Sequence, residues 1–292
     1  MARSTQASDL FHIKEIRKTF QNGNCINYQI DLAIQRGCFT IITGGSGVGK
    51  STLLHILGLL DAPEKMDGAD SQIEYFSNSH RIDYFELFDR SHDLKHVWRG
   101  WKSSSRRARI RREDFGFLPQ GGHLLNTFAI RENLELILQL RHRPCSKKPD
   151  AHQEVVNVLK AVNFGGEEET TAFSERLQLS PFTLSGGQKQ RLALARTIIC
   201  DCQPKVIFVD EPTTYMDEKV AEVCLRVLAD RVIDAQCSVI LVTHDKNLVT
   251  TLSAYIQDEK KKDASSLIAQ YHLSAQDTEM HSKISNVIIE KD

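Results

Sequence analysis

The apolar positions of this chain follow two periods. From Phe11 to Phe20 and from Tyr28 to Ile34 they read as strands, joined by a turn at Asn22-Gly23-Asn24. Phe39-Thr40-Ile41-Ile42-Thr43 is a short buried strand running into glycines. The helix pattern that follows, Ser51 to about Leu60, is stopped by Asp61-Ala62-Pro63. Phe115 to Leu118 is a further strand, ended by Pro119. Residues 128–200 read as helical: Val155, Val158, Leu159 and Val162 share one face, and Leu192, Ala195 and Ile199 another. Val206 to Val209 and Val239 to Val242 are apolar throughout. Between them Val220, Val223, Cys224, Val227 and Leu228 mark an amphipathic helix. Strands apolar at every position must be covered on both faces, so this order predicts an α/β fold with a parallel sheet. Two stretches resist such a reading. Gln72 to Arg112 mixes polar and aromatic residues and ends in a basic cluster (Arg106, Arg107, Arg109, Arg111, Arg112). The tail beyond Gln257 opens with a charged run, Asp258 to Asp263, and has no clear period.

Composition narrows the picture. At 292 residues the chain can build one large or two modest domains, and 41% hydrophobic with 26% charged residues is ordinary for a soluble globular protein. A net charge of −1 gives no overall steering toward nucleic acid or anionic membrane. Met1 to Leu10 is polar, without the apolar region of a secretory signal, and no run approaches the ~18 apolar residues of a membrane span. The expectation is a cytoplasmic protein that reaches a membrane only through a partner. The seven cysteines are scattered and odd in number, and several sit in apolar runs, as buried free thiols do. Cys200-Asp201-Cys202 lacks the second ligand pair of a metal site.

The chemistry begins at Gly44-Gly45-Ser46-Gly47-Val48-Gly49-Lys50-Ser51, which matches G-x-x-x-x-G-K-[ST] between a strand and a helix. Glycines let the backbone wrap a phosphate chain, and the amides of the loop and helix N-terminus face the anion. Lys50 can reach β- and γ-phosphates, and the Ser51 hydroxyl can ligate Mg²⁺. Chance alone gives this pattern in roughly 1% of chains this long, and the strand-loop-helix setting lowers that further. Val206 to Val209 then leads into Asp210-Glu211-Pro212. Asp210 can hold the Mg²⁺ shell, and Glu211 can orient and polarise an attacking water. Val242-Thr243-His244-Asp245 brings an imidazole to the carboxyl edge of the next strand, where open α/β sheets bind ligands. Leu184-Ser185-Gly186-Gly187-Gln188 precedes another helix. Ser185 is a good N-cap there, and the glycines expose a second anion-binding helix terminus.

Taken in order, Gly44 to Thr52, Gln120, Leu184 to Gln188, Asp210-Glu211, Asp217 and His244 resemble an ABC-type ATPase over roughly residues 10–258. The resemblance implies a P-loop NTPase fold of ABC type: a mixed parallel-sheet core, an antiparallel N-terminal β-subdomain and a helical subdomain. By it, 10–120 and 191–258 form the catalytic core with its β-subdomain, about 72–105 an insertion, 121–190 the helical subdomain, and 259–292 a tail without assigned structure. It implies ATP and Mg²⁺ as cofactors and a head-to-tail dimer. In that dimer ATP lies between the glycine loop of one copy and Ser185, Gly186, Gly187 and Gln188 of the other. Phe20 stands where the family stacks an aromatic ring on adenine. Gln120 matches the glutamine that touches Mg²⁺ and couples the helical lobe, Asp217 the loop that signals across the dimer, and His244 a γ-phosphate contact.

Ile56-Leu57-Gly58-Leu59-Leu60-Asp61 and Arg131-Glu132-Asn133 are similar to subunits serving lipoprotein-releasing, macrolide-exporting or cell-division membrane partners. An integral-membrane permease and a place on the inner face of the cell membrane are therefore implied. Three features depart from that pattern: the 70 positions from Lys50 to Gln120, the loop Thr213-Thr214-Tyr215-Met216, and, after His244, the lack of the usual glycine-turned final hairpin. Driving a membrane regulator without transport remains an alternative that the motor motifs do not separate. A nucleic-acid ATPase is disfavoured: the chain has neither the long coiled coil of repair ATPases nor the second cassette of translation factors. A degenerate, non-hydrolysing binder is disfavoured because every catalytic position is filled.

Overall fold

The computed structural model describes residues 9–77, 80–88, 97–141, 150–164, 171–199, 204–213, 216, 218–245, 247–258, 260, 262–276 and 284–291, the side chains of 97–103, 141, 171, 172 and 284 excepted. Asp217, Thr214, Tyr215, Cys145, Cys200 and Cys202 lie outside the described residues. The described chain folds around one 11-stranded sheet.

Its parallel half begins with β3 (Phe39–Gly44) and helix α1 (Lys50–Leu57). β7 (Phe115–Leu118), β8 (Val206–Asp210) and β9 (Ser238–Val242) complete it, in the spatial order β3-β9-β8-β7. Every residue of β8 and β9 is buried, which is why both read as unbroken apolar runs rather than alternating ones. The alternation is still present, but it divides two cores. Ile41, Ile207, Val209, Val239 and Leu241 face one apolar cluster; Ile42, Val206, Phe208, Ile240 and Val242 face another. The first is closed by α4 (Ile130–Arg141), α5 (Ala151–Ala161), α6 (Thr171–Leu177), α7 (Gly186–Ile198), α8 (Glu218–Ala235) and α9 (Asn247–Asp258). The second takes Leu53, Leu54, Ile56 and Leu57 of α1.

The antiparallel half is made by β1 (Asp9–Thr19) and β2 (Cys25–Gln35), with β4 (Glu64–Lys65), β5 (Gln72–Phe76) and β6 (Arg81–Asp83) outside β1. The stretch expected as an insertion from about residue 72 thus opens inside the sheet: Ile73 pairs with Ile13, and Ile73 and Tyr75 are fully buried. Three apolar residues between serines and a glutamate are too short a run to show this in sequence. α2 (Tyr84–Phe88) and α3 (Val97–Glu113) follow before the chain returns to β7. An aromatic cluster ties the two halves. Phe208 of β8 lies 6.2 Å from Phe11 and 5.0 Å from Phe115, and Tyr75 lies 5.1 Å from Phe11. Tyr75 satisfies its hydroxyl on Asp114 Oδ2 at 3.0 Å, so the buried phenol carries no orphan polar atom.

The largest difference from expectation is at the C-terminus. The final hairpin expected to be lacking is present: the tail without assigned structure carries β10 (Ile268–Gln276) and β11 (Ile284–Lys291), an antiparallel pair inserted between β2 and β3. β10 runs parallel to β3 and β11 parallel to β2. The two halves of the sheet are therefore joined through residues more than two hundred positions away in the chain. Leu273 and Val287 are buried, but Gln, His, Ser and Asn at neighbouring positions dilute the apolar period below recognition. The expected free thiols are found where described: Cys25, Cys224 and Cys237 are buried and Cys38 half-buried. Burial pushes the Cys224 thiol up to about 12, as befits an inert structural cysteine.

Candidate active site

The glycine loop leaves β3 and enters α1 as the strand-loop-helix order requires. Gly49, the N-cap of α1, has φ 107°, a left-handed conformation open to glycine. A Cβ there would also stand 2.8 Å from the Tyr28 hydroxyl, which donates to the Gly49 carbonyl at 2.8 Å. At Gly44 a Cβ would collide with the carbonyl oxygen of Leu273 in β10. The C-terminal hairpin thus packs directly against the start of the loop. Lys50 is buried, and its ammonium donates to the carbonyls of Gly44 and Gly45, both at 2.9 Å. The cation is held over the loop and turned inward, ready to exchange two carbonyls for phosphate oxygens.

Beside the loop lies a pocket of about 470 Å³. It is lined by Phe20, Asn22, Asn24, Cys25 and Ile26, by Gly47, Gly49, Lys50, Ser51 and Thr52, and by Ser285 of β11. The structure therefore brings Phe20 to the glycine loop. Asn22, Asn24 and Ser285 are wall residues that the sequence reading missed. No local signal marks Ser285, which reaches the pocket only because β11 pairs with β2 beside Ile26.

The carboxylates converge on the same edge. Ser51 donates its hydroxyl to Asp210 Oδ1 at 3.0 Å, putting two hard oxygen donors within reach of one small cation. Burial raises the Asp210 carboxyl above its ordinary value, opposed by the Ser51 hydrogen bond. Glu211 follows with φ 47°, a strained conformation for a non-glycine residue and typical of functional positions. Its amide is held by the Val242 carbonyl at 3.0 Å. Its carboxylate is held three ways: Oε1 meets His244 Nδ1 at 2.9 Å, and Oε2 accepts from the Thr243 hydroxyl at 3.1 Å and the His244 amide at 3.4 Å. With Nδ1 donating to Glu211, Nε2 of His244 is the nitrogen left for a ligand. Thr243 was not foreseen, although a hydroxyl beside His244 at a strand end was a visible signal.

Ser185 is the N-cap of α7 in a reciprocal capping box: its hydroxyl accepts from the Gln188 amide at 3.3 Å, and Gln188 Oε1 accepts from the Ser185 amide at 3.1 Å. Ser185 and Gly186 are exposed, and none of residues 185–188 lines the pocket of their own chain. Gln120 is exposed in the turn after β7. That turn is tied to α7 by Arg196, which donates to the Gly122 and His123 carbonyls at 3.2 and 2.9 Å.

A parallel sheet with a glycine-loop lysine, a hydroxyl–carboxylate pair and a buried glutamate at one edge defines a P-loop nucleotide-hydrolase site. A family model described as ABC transporter matches residues 28–214. The chain belongs to the ABC transporter family and is an ATP-binding, ATP-hydrolysing subunit of that type. Among its relatives, the lipoprotein-releasing system ATP-binding protein LolD of Acinetobacter baylyi is 33% identical over 246 residues, covering 83% of this chain and 92% of the relative. The macrolide export ATP-binding/permease protein MacB of Bdellovibrio bacteriovorus is 32% identical over 265 residues, 87% of this chain but 34% of that longer protein. The dimeric ABC transporter cassette MJ0796 superimposes with a TM-score of 0.64 at 27% identity, over 83% of this chain and 91% of the cassette. A post-hydrolysis dimer of the same cassette, bound to ADP and phosphate, gives 0.63 at 28% identity, over 82% and 90%.

Proposed function

We propose that this chain is the motor of an exporter-type membrane complex, acting as a head-to-tail dimer on integral-membrane permease subunits at the inner face of the cell membrane. The observation that carries this reading is the incompleteness of the site within one chain. Lys50, Ser51, Asp210, Glu211 and His244 share one edge, while the Ser185-Gly186-Gly187-Gln188 terminus, exposed at Ser185 and Gly186, lines none of the pocket beside the glycine loop of its own chain. A second copy supplies the missing half, as the dimeric cassettes similar to this chain support. Loop residues Gly44 to Thr52 would hold the phosphates and Phe20 the base. Ser51, Asp210 and Gln120 would hold Mg²⁺, and the Ser51–Asp210 pair fits an oxygen-liganded cation. When bound, Mg²⁺ supplies charge neutralisation across the β- and γ-phosphates. Glu211 orients the attacking water, His244 contacts the γ-phosphate, and Asp217 signals across the dimer. Catalysis is then chiefly positioning and charge stabilisation.

The division into a catalytic core (10–120 and 191–258) and a helical lobe (121–190) belongs to the same proposal. Leu125, Phe128, Leu179 and Phe182 are exposed around the loop between Gln120 and α4. They are drawn together by Ile130 N donating to Leu179 O at 2.9 Å and Ser180 Oγ to Asn126 O at 2.8 Å. An apolar patch of this kind suits a protein partner. The names of the relatives support export. ATP-driven association tests the proposal: with Mg²⁺ and ATP, Glu211→Gln chains should double in mass by light scattering, and Lys50→Ala chains should stay single. A chain that remains monomeric under all these conditions refutes it.

A further inference from the structure

Helix α3 carries a surface that neither nucleotide nor sheet uses. Seven lysines and arginines fall between positions 99 and 112, and no aspartate or glutamate interrupts them. Among the described side chains, two face inward. Arg107 donates to the Leu87 carbonyl and stacks 4.6 Å over the Phe88 ring, and Arg111 donates to the Leu59 carbonyl at 2.9 Å. The outer face is different. Ser105, Arg106, Ala108, Arg109 and Arg112 are exposed. Arg106 and Arg109 have no partner among the described residues, and Arg112 meets only its neighbour Glu113, at 3.2 Å. The spacing 98, 101, 105, 109, 112 keeps Trp98 and Trp101 in helical register with that row, and these are the two tryptophans of the chain.

We infer that the outer face of α3 is a membrane-surface contact that binds the anionic headgroups of phospholipids. Tryptophan favours the headgroup level of a bilayer, and clustered basic residues are attracted to its anionic lipids, so a row that carries both suits a membrane surface. A close-packed protein interface would have to desolvate the unpaired Arg106 and Arg109, whereas headgroups neutralise them while leaving them hydrated. The net charge of the whole chain hides this patch, because acidic residues elsewhere balance it. The assignment rests on the proposed membrane partner in one respect: that partner is what would hold the chain beside a bilayer.

Co-sedimentation of the full chain with vesicles of phosphatidylcholine plus phosphatidylglycerol, and with phosphatidylcholine alone, tests the inference. Binding should be confined to the anionic vesicles and should shift tryptophan emission to the blue, a signal that arises within α3. The R106E/R109E/R112E variant should bind roughly 100-fold more weakly or worse, and Arg109→Glu alone roughly fivefold more weakly. ATP hydrolysis by the free chain should be unchanged in both, which also shows that they fold. Absent binding, equal binding by the triple variant, or unshifted emission would overturn the inference. So would tighter binding to a duplex oligonucleotide, or vesicle binding only when a permease is embedded. Vesicle binding by a chain without ATPase activity would instead fault the functional reading and leave this one standing.

Discussion

Glu211 and Asp210 are neighbours in sequence with different environments. Glu211 is strained in backbone and held by Thr243 and His244, so its carboxylate is positioned before nucleotide arrives. Glu211→Gln should lower turnover about 10²–10⁴-fold with ATP affinity little changed, read by single-turnover hydrolysis beside equilibrium binding. Asp210 is raised by burial. Its contribution to the stability of the free chain is therefore largest at acid pH and is lost as pH rises through the raised value. Asp210→Asn should raise the Tm of the nucleotide-free chain at neutral pH, flatten that pH dependence above the usual carboxylate range, and abolish Mg²⁺-dependent hydrolysis. Thermal melts from pH 4 upward check the first two. At this scale much was legible, because phosphate chemistry restricts residue types tightly: glycines, one lysine and a hydroxyl in fixed order. Ser285 and Tyr28 were not legible, because a wall hydroxyl and a loop-bracing phenol can come from any strand that passes nearby.

At the scale of elements, α7 joins two functions. Ser185 caps its N-terminus, and Arg196, near its other end, holds the turn that follows Gln120. A movement of this helix would be felt at both places. Ser185→Arg should spare ATP binding by an isolated chain and abolish hydrolysis, because the serine acts on the partner's nucleotide. Mixing it with Lys50→Ala chains should restore part of the activity that neither shows alone, since the mixed pair contains one intact site. Continued silence of the mixture would argue that Ser185 serves its own chain. The capping box and the amphipathic stripe of α7 were both visible in sequence, since each is a local pattern of a few residues. β5, β10 and β11 escaped because they are part-polar strands whose burial depends on what lies alongside.

Across the whole molecule, the sheet is a continuous structure whose halves meet twice, through the aromatic cluster around Phe208 and through the β10–β11 pair. Phe208→Ala should cost about 3–5 kcal/mol, because it leaves a cavity where both halves pack; urea denaturation measures this. It should also weaken ATP binding, because Asp210 lies two residues further along the same strand. From the chain alone one could determine the class of fold, the nucleotide chemistry and its reactive groups, because these are written in local spacing: glycines in a loop, carboxylates after an apolar strand, a serine before a helix. Tertiary structure alone decided what closes the pocket, what braces the glycine loop and where the final strands insert. Those depend on pairing between residues far apart in sequence, and hydrogen-bonded strand pairing leaves only a faint compositional trace when half the side chains are polar.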